Sequence, residues 1–275
     1  MAFYRSKGLN LHYEVAGAGP TVLLVHGFTN FGLVWGPQIA ALAYSGYRVI
    51  VPDLAGHGLS APVEAVTDVP ALASDMVALL DVLGIGRVAV CGLSLGGMVA
   101  QQMAVDHPQR VAALVVADSR ADNSGMQPMV ERWIAEFEGP GGPLGRLDKT
   151  YPMLLNEAYR SSVSGQATLD LWRLVLLQVT GRSLASVAQG MLGFDVTAGL
   201  PTVDAPTLVI SGEEDRLIPP ALSRRSAELI RGARFEIIPE AGHISSLDSA
   251  AAFNQLLLAF LADPAVASRL TNTIG

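Results

Sequence analysis

The sequence predicts an α/β protein with a mostly parallel central sheet and helices on both faces. Short apolar segments of buried-strand length alternate with helix-forming segments along most of the chain, which is typical of strand–helix–strand units. Between residues 120 and 200 this alternation stops and no buried strand is recognisable. We therefore expect a core made of residues 1–119 and 201–275, with an inserted helical cap over residues 120–200.

The composition limits the classes of function that this chain can have. Half of its 275 residues are hydrophobic, only 16% are charged, and the formal net charge is −7. Nucleic acids and anionic membranes attract a basic surface, so the acidic balance argues against both as partners. The chain begins without an apolar segment of signal-peptide length, and no apolar run has the length of a membrane span. We expect a cytoplasmic protein, and the sequence favours no particular oligomeric state.

The first half of the chain contains the predicted edge strands and the first strand–helix units. Its strands are uniformly apolar, as expected for strands that are covered on both faces. The apolar residues of its second helix recur at intervals of three and four. The expected elements are two short strands within residues 2–16, a strand over 21–25, a helix over 35–45, a strand over 47–51 and a helix over 68–83.

Residues 91–97, Cys-Gly-Leu-Ser-Leu-Gly-Gly, lie between an apolar strand and a helix-forming segment. Gly92 and Gly96 flank Ser94 at a distance of two residues, which is the spacing of a nucleophile elbow. So sharp a turn strains the serine backbone, and side chains at the two flanking positions would collide. We expect the Ser94 hydroxyl to project beside the N-terminus of the next helix, where unpaired N–H groups stabilise an anion. So short a motif also fits an ordinary structural turn.

The second half of the chain contains the cap and the last strands. Strands are expected over residues 110–117, 205–211 and 234–238, with a closing helix over 248–261 and a loosely held tail after Pro264. In the cap, a loop over 138–143 is expected among four helices, over 126–137, 147–159, 166–179 and 183–192. Large side chains on these helices fit ordinary helix packing, but some are expected to line a pocket above Ser94. The candidates are Met126, Trp133, Tyr151 and Trp172.

Two acids and one histidine are the candidate partners of Ser94. Polar groups that follow parallel strands gather at one edge of the sheet, where α/β proteins place their active sites. Asp118 and Asp215 each follow a predicted strand, and both are candidates for the acid at this point. His243 follows the last strand, in a loop after a glycine. The remaining histidines are interpreted as structural or surface groups: His12, His26, His57 and His107.

Taken together and in order, these segments resemble the α/β-hydrolase fold family over almost the entire chain. The size of the chain and of its cap is similar to that of esterases and 3-oxoadipate enol-lactonase-like enzymes. The order Ser, Asp, His is the one that this fold uses. The segments that carry the resemblance are His26-Gly27-Phe28, Asp53 to Ser60, Gly92 to Gly97, Gly212 to Asp215 and Gly242-His243.

The resemblance implies a mechanism of nucleophilic acyl transfer. Ser94 would attack a carbonyl carbon, His243 would take its proton, and Asp215 would orient and stabilise the imidazolium. The backbone N–H groups of Phe28 and Leu95 would form the oxyanion hole. Water would then hydrolyse the acyl-enzyme, so neither a metal nor an organic cofactor is needed. A serine at position 94 argues against a haloalkane dehalogenase, which uses an aspartate there.

The expected substrate is a small-molecule carboxylic ester or lactone. Three alternatives stay open: a hydrolase of carbon–carbon bonds in ring-cleavage products, a perhydrolase or cofactor-free haloperoxidase, and a triad-bearing small-molecule receptor. Rapid multiple turnover would distinguish an enzyme from a receptor. An anionic lactone would require a cation in the pocket, whereas a cap without a buried arginine would favour neutral esters. The candidate cations are Arg120, Arg132, Arg146, Arg160, Arg173 and Arg182.

Overall fold

A computed structural model describes residues 1–271 and contains one eight-stranded sheet. The order across the sheet is β1-β2-β4-β3-β5-β6-β7-β8. β1 and β2 join it by antiparallel pairing, and the other strands are parallel to one another. The strands are β1 (Ala2–Ser6), β2 (Leu9–Ala16), β3 (Thr21–Val25), β4 (Arg48–Pro52), β5 (Val88–Leu93), β6 (Val111–Ala117), β7 (Thr207–Gly212) and β8 (Arg234–Ile238).

The apolar strands lie in the middle of the sheet, as their composition predicts. Every residue of β3, β5, β6 and β7 is buried. These strands have helices on both faces, so they carry no alternation of polar and apolar residues. β8, at the edge, is only partly buried. The carboxyl ends of β5, β6 and β7 therefore meet at the centre of one sheet edge.

Apart from α10 and α12, the helices of the core occupy the segments that the sequence predicts. α2 illustrates why, since the Asp68 side chain accepts a hydrogen bond from the Ala71 N–H and caps its first turn. Short 3₁₀ turns lie at Gly32–Trp35, Pro108–Arg110 and Leu200–Thr202. The core helices are α1 (Gly36–Tyr44), α2 (Val69–Val82), α3 (Leu95–Asp106), α9 (Pro220–Leu229), α10 (Ser245–Asp248), α11 (Ala250–Leu261) and α12 (Pro264–Thr271).

The cap is helical, but several of its helix boundaries differ from those predicted, most of all around α5. Its helices are α4 (Gln127–Glu138), α5 (Gly142–Leu154), α6 (Glu157–Arg160), α7 (Val163–Leu176) and α8 (Gly181–Met191). The single helix predicted over 147–159 is wrong, because Leu155 is extended and the Asn156 side chain caps α6 by accepting from the Tyr159 N–H. The predicted loop is shorter than expected, because α5 begins at Gly142 with Pro143 in its first turn.

The two ends of the cap meet beside β6. Asp122 and Asp195 form an isolated antiparallel bridge. The N–H of Asn123 donates to the Phe194 carbonyl and the N–H of Val196 donates to the Ala121 carbonyl, each over 2.9 Å. The chain therefore leaves the core and returns to it at one place.

The predicted loose tail is wrong for residues 264–271. They form α12, and the side chains of Val266 and Leu270 are buried. Their spacing of four residues places them on one helix face, and Pro264 starts the helix because a proline is well tolerated at the first helical position. The rest of the predicted tail, residues 272–275, lies outside the described residues.

No single helix within residues 1–271 is long and apolar enough to cross a membrane. α11 and residues 264–270 of α12 meet the length and composition criteria only as a pair, with a bend of 74° between them. The side chains of Phe253, Leu257 and Leu261 on α11 are buried in the core. Packing on the sheet therefore accounts for the apolar character of this pair.

Candidate active site

The turn between β5 and α3 places Ser94 at the edge of the sheet. Ser94 has φ = 52°, a left-handed conformation that is unfavourable for any residue with a side chain. A Cβ atom on Gly92 would collide with the carbonyl oxygen of Gly96. A Cβ atom on Gly96 would collide with the backbone oxygens of Val25 and His26 at the end of β3. The first glycine is therefore required by the turn itself, and the second by the strand that passes beside it.

Ser94, His243 and Asp215 form one continuous chain of hydrogen bonds. The His243 Nε2 lies 3.0 Å from the Ser94 Oγ, and the His243 Nδ1 lies 2.8 Å from the Asp215 Oδ2. The other Asp215 oxygen accepts from the N–H groups of Leu217 and Ile218, over 2.9 and 2.8 Å. A carboxylate only accepts, so Nδ1 carries the proton and Nε2 is free to accept from the serine hydroxyl.

The environment of His243 is set by burial and by Asp215. Burial disfavours the imidazolium, but the charge of Asp215 and its hydrogen bond outweigh this effect. The pKa of His243 is therefore raised above its ordinary value of 6.5. An imidazole with a raised pKa is a stronger base, although it needs a higher pH to be unprotonated.

Asp118, the other candidate acid, binds the loops around the site and has no hydrogen bond to His243 in the described part of the chain. Its Oδ1 accepts from the Gly212 N–H over 2.8 Å. Its Oδ2 accepts from the N–H and the hydroxyl of Ser245, over 3.1 and 2.6 Å. Burial and the charge of Asp215 raise the pKa of Asp118. Asp118 thus connects the end of β7, which leads to Asp215, with the turn that follows His243.

Phe28 and Leu95, the predicted anion-binding residues, belong to the two segments that adjoin Ser94. Leu95 is the first residue of α3, where the N–H has no intrahelical acceptor. A Cβ atom on Gly27 would lie 3.3 Å from the Ser94 Cβ, so the loop after β3 lies directly against the serine. Within residues 1–271 no hydrogen bond engages the N–H of Phe28. The anion-binding role of these two N–H groups stays a prediction.

His26 and His57 are neutral and buried, and each makes local hydrogen bonds. The His26 Nδ1–H donates to the Gly27 carbonyl over 2.8 Å, and its Nε2 accepts from the Leu54 N–H over 2.9 Å. The His57 Nδ1–H donates to the Ala55 carbonyl over 3.1 Å. Burial lowers the pKa of His26 and lowers that of His57 to about 3. Their positions agree with the structural interpretation.

His12 contacts Asp53 in the polar turn after β4. Its Nδ1 lies 2.9 Å from the Asp53 Oδ2. The Asp53 carboxylate also accepts from the N–H groups of Gly32 and Leu59, over 2.6 and 2.9 Å. This turn therefore holds the loop after β3 in place, and His12 contributes to that structural role.

A narrow cavity lies between Ser94 and the cap. The centres of water molecules can occupy only about 30 Å³ of it. Of the four predicted pocket residues, Trp133 lines the cavity, and its ring stacks on Phe28 with 5.9 Å between centroids. The residues that line this cavity include Phe28, Ser94, Arg120, Trp133, Arg146 and Met191.

The other three predicted pocket residues are not among those that line the cavity, and the prediction is corrected for them. Tyr151 and Trp172 contact each other edge to face inside the cap, with 5.9 Å between ring centroids. The Tyr151 hydroxyl donates to the Gly165 carbonyl over 2.7 Å. Met126 packs against the hydrophobic core just before α4. Tyr151 and Trp172 hold α5 and α7 together, because the faces that carry them are turned towards each other.

The cavity also contains two arginines that the sequence could not separate from the other four candidates. Arg120 is 3% exposed and Arg146 is 6% exposed, whereas the other four are exposed or half-buried. Arg120 follows β6 directly, and Arg146 lies on α5. A further lining residue that sequence reasoning missed is Asn30, whose side-chain oxygen is buried without a partner. No pattern in the sequence marks these residues as lining a cavity, and Arg146 is brought to Ser94 only by the folded cap.

Known proteins resemble this chain over nearly its whole length. The family model described as alpha/beta hydrolase fold matches residues 20–250. A protein of Variovorax paradoxus (strain S110) named "Putative carbamate hydrolase RutD" is 34% identical, covering 92% of this chain and 96% of that protein.

Two solved structures give the same result. A malate-bound thermophilic esterase from Thermogutta terrifontis has a TM-score of 0.85 and 32% identity, covering 94% of this chain and 96% of that one. The enol-lactonase from Burkholderia xenovorans LB400 has a TM-score of 0.88 and 27% identity, covering 95% and 100%. The chain therefore belongs to the alpha/beta hydrolase fold family, in its esterase and lactonase branch.

Proposed function

We propose that this hydrolase cleaves a small carboxylic ester or lactone through an acyl-enzyme on Ser94. The observation that carries the proposal is the hydrogen-bonded chain from Asp215 through His243 to the serine oxygen. The Nε2 of His243 takes the hydroxyl proton as the Ser94 Oγ attacks the carbonyl carbon. Asp215 stays ionised, keeps Nδ1 protonated and stabilises the imidazolium that forms.

The tetrahedral intermediate carries a negative oxygen, which the N–H groups of Phe28 and Leu95 stabilise. One such donor is typically worth ~3–4 kcal/mol of transition-state stabilisation. The imidazolium of His243 then protonates the departing oxygen as the carbon–oxygen bond breaks. A water molecule, deprotonated by His243, attacks the acyl carbon and forms a second tetrahedral intermediate. This intermediate collapses and releases the acid, while His243 returns the proton to Ser94.

The ester and lactone class is supported by the solved relatives, an esterase and an enol-lactonase. Carbamate hydrolysis is a second candidate, because a relative at 34% identity is named for it. The same serine would attack a carbamate carbonyl and form a carbamoyl-enzyme. Carbon–carbon bond hydrolysis, perhydrolysis and ligand sensing are the remaining alternatives.

The test compares the wild-type protein with Ser94→Ala and with the control Ser74→Ala. Within residues 1–271 the Ser74 hydroxyl bonds only the Pro70 carbonyl of its own helix, so its loss leaves the site unchanged. We expect wild type and control to hydrolyse 4-nitrophenyl acetate with multiple turnovers, and mass spectrometry of the quenched reaction to find an acyl group on the peptide containing Ser94. A Ser94→Ala variant with full activity would overturn the proposal. A panel of esters, lactones, carbamates and dienones then ranks the substrate classes by kcat/KM.

A further inference from the structure

Two guanidinium groups are buried at the cavity, although acyl transfer at Ser94 requires neither. Arg120 and Arg146 are 3% and 6% exposed, and both line the cavity beside the serine. Moving a cation out of water is unfavourable, so buried charges in proteins are normally paired with an opposite charge. The partners of each arginine therefore show whether its charge is already compensated.

Arg120 has no carboxylate partner within ion-pair distance in residues 1–271. Its Nη2 donates to the neutral side-chain oxygen of Asn123 over 2.6 Å, and its buried Nε has no hydrogen-bond partner. The two nearby carboxylates are engaged elsewhere, since Asp122 lies 3.3 Å from Arg225 and Asp215 binds His243. Burial lowers the pKa of Arg120 to about 10, so the group is still a cation at neutral pH.

Arg146 is only partly compensated. Its Nη1 lies 3.1 Å from a Glu136 oxygen, and the Lys149 Nζ lies 3.1 Å from the other oxygen of the same carboxylate. Two cations therefore share one anion, although the Lys149 side chain is exposed and solvent screens its charge. The guanidinium lies over the Trp133 ring at 4.3 Å from its centroid, which fixes its plane. Its Nε is also buried without a partner.

We infer that the cavity binds a substrate that carries a carboxylate in addition to the bond that is cleaved, with Arg120 as the main binding group for that carboxylate. Arg146 supplies a second cation from the cap side. Because both arginines line the same narrow cavity as Ser94, the carboxylate and the scissile carbonyl must be only a few bonds apart. The substrate class is therefore the half-ester of a short dicarboxylic acid or a carboxylate-bearing lactone. This inference rests on the proposed function.

A purely structural role for Arg120 makes a different prediction. The charge of Arg120 also acts on Asp215, one of the proposed catalytic groups. If it served only to balance that charge, its loss would slow neutral and anionic substrates by the same factor. If it binds the substrate carboxylate, its loss would slow the anionic substrate far more than the neutral one.

The experiment uses two methyl esters of nearly equal size, monomethyl succinate and methyl levulinate. They differ in one group, a carboxylate in the first and a neutral methyl ketone in the second. The variants are Arg120→Met, Arg120→Lys and Arg146→Met, with Arg132→Met as the matched control on the exposed surface of the cap. Circular dichroism and thermal melting establish that each variant is folded.

We expect the wild-type enzyme to prefer monomethyl succinate. Arg120→Met is expected to lower kcat/KM for this ester by about 10- to 100-fold, the range for a lost hydrogen bond to a charged group, and to leave methyl levulinate within about threefold. Arg120→Lys restores part of the preference, Arg146→Met has a smaller effect in the same direction, and Arg132→Met has none. Wild-type preference for methyl levulinate, or equal losses on both esters, would overturn the inference.

A binding measurement separates failure of this inference from failure of the proposed function. Succinate is titrated calorimetrically into Ser94→Ala and into the double variant Ser94→Ala/Arg120→Met. We expect binding to the first and a 10- to 100-fold weaker affinity in the second, again about the range for a charged hydrogen bond. If neither ester is cleaved but succinate binds through Arg120, the proposed reaction is wrong and the anion site stands. If esters are cleaved but succinate does not bind, the anion site is wrong.

Discussion

At the scale of single residues, the site depends on two strained backbone positions at the ends of neighbouring strands. Ser94 and Asp118 have φ angles of 52° and 47°. Strain of this kind costs about 1–3 kcal/mol for each residue and persists only where the surroundings enforce it. Here the Ser94 N–H donates to the Ala117 carbonyl and the Asp118 N–H donates to the Ile210 carbonyl, each over 2.9 Å. The sheet itself therefore holds both residues in conformations that they would otherwise avoid.

The raised pKa of His243 predicts the shape of the pH–activity profile. The histidine acts as a base only when unprotonated, so kcat/KM for a neutral ester is expected to fall as the pH drops through the pKa of His243, with its acid inflection above 6.5. Asp215→Asn removes the largest influence that raises this pKa, so the inflection moves to lower pH. The same variant loses activity by a factor on the order of 10⁴, since Nδ1 is no longer held protonated.

The control for this profile is Asp106→Asn, an exposed carboxylate at the end of α3. It is expected to leave both the inflection and the rate unchanged. An acid inflection that stays in place in Asp215→Asn would mean that Asp215 does not set the charge state of His243.

At the scale of elements, the cap and the histidine loop are joined by shared hydrogen bonds. The Ile244 N–H donates to the Leu154 carbonyl at the end of α5 over 2.9 Å. One oxygen of Asp248 accepts from both the Asn156 N–H in the cap and the Gly242 N–H beside His243, each over 2.8 Å. A movement of this part of the cap would therefore be transmitted to the loop that positions the histidine.

Replacing Asp248 with alanine tests this connection. Asp248→Ala leaves two N–H groups without their acceptor, so we expect faster amide hydrogen exchange in residues 154–160 and 242–248 together. We also expect a lower kcat, because the histidine is held less firmly. Asp204→Ala is the control, since this exposed carboxylate pairs only with Arg269 on α12. Unchanged exchange in either segment would show that the two are not coupled through Asp248.

Much of this arrangement could be predicted from local sequence, and the failures have local causes as well. The uniformly apolar strands indicate burial on both faces, so the sheet can be predicted. The glycines around Ser94 indicate a tight turn, so the nucleophile turn can be predicted as well. The single helix predicted over 147–159 misses the break between α5 and α6, where the Asn156 side chain caps a new helix. The sequence predicts a loose tail after Pro264, although this proline starts α12.

The side chains of the cap were the hardest to place. Whether Tyr151 faces Trp172 or the cavity depends on how α5 and α7 are rotated against each other, and the sequence of neither helix specifies that rotation. The same holds for Arg120 and Arg146, whose burial results from the folded cap and not from their neighbours along the chain.

At the scale of the whole molecule, the closed cap restricts the size of the substrate. The space for water centres is about 30 Å³. Space of this size accommodates only a few water molecules. Long acyl chains do not fit unless the cap moves, whereas an acetyl or succinyl group needs little rearrangement.

Acyl-chain length therefore provides a test at this scale. We expect kcat/KM to fall steeply from 4-nitrophenyl acetate to the octanoate. Met191→Ala removes a buried side chain that lines the cavity, so it shifts the preference towards longer chains. The same change lowers the free energy of unfolding by about 2–5 kcal/mol, which urea denaturation measures. Met153→Ala, which alters a methionine of α5 that is 36% exposed, is the control. An unchanged chain-length profile in Met191→Ala would place the acyl group elsewhere.

The bridge between Asp122 and Asp195 has a consequence for how this protein changes over time. Because the cap begins and ends at neighbouring points, the segment between them is an insertion between β6 and β7. Recombination could replace that segment with a longer, shorter or unrelated one, and β6 and β7 would keep their register. A new cap would bring new cavity-lining residues while Ser94, His243 and Asp215 lie outside the exchanged segment, although it would have to replace the cap's hydrogen bonds to the histidine loop. Substrate preference can therefore change through replacement of the cap, while the reactive residues of the core stay the same.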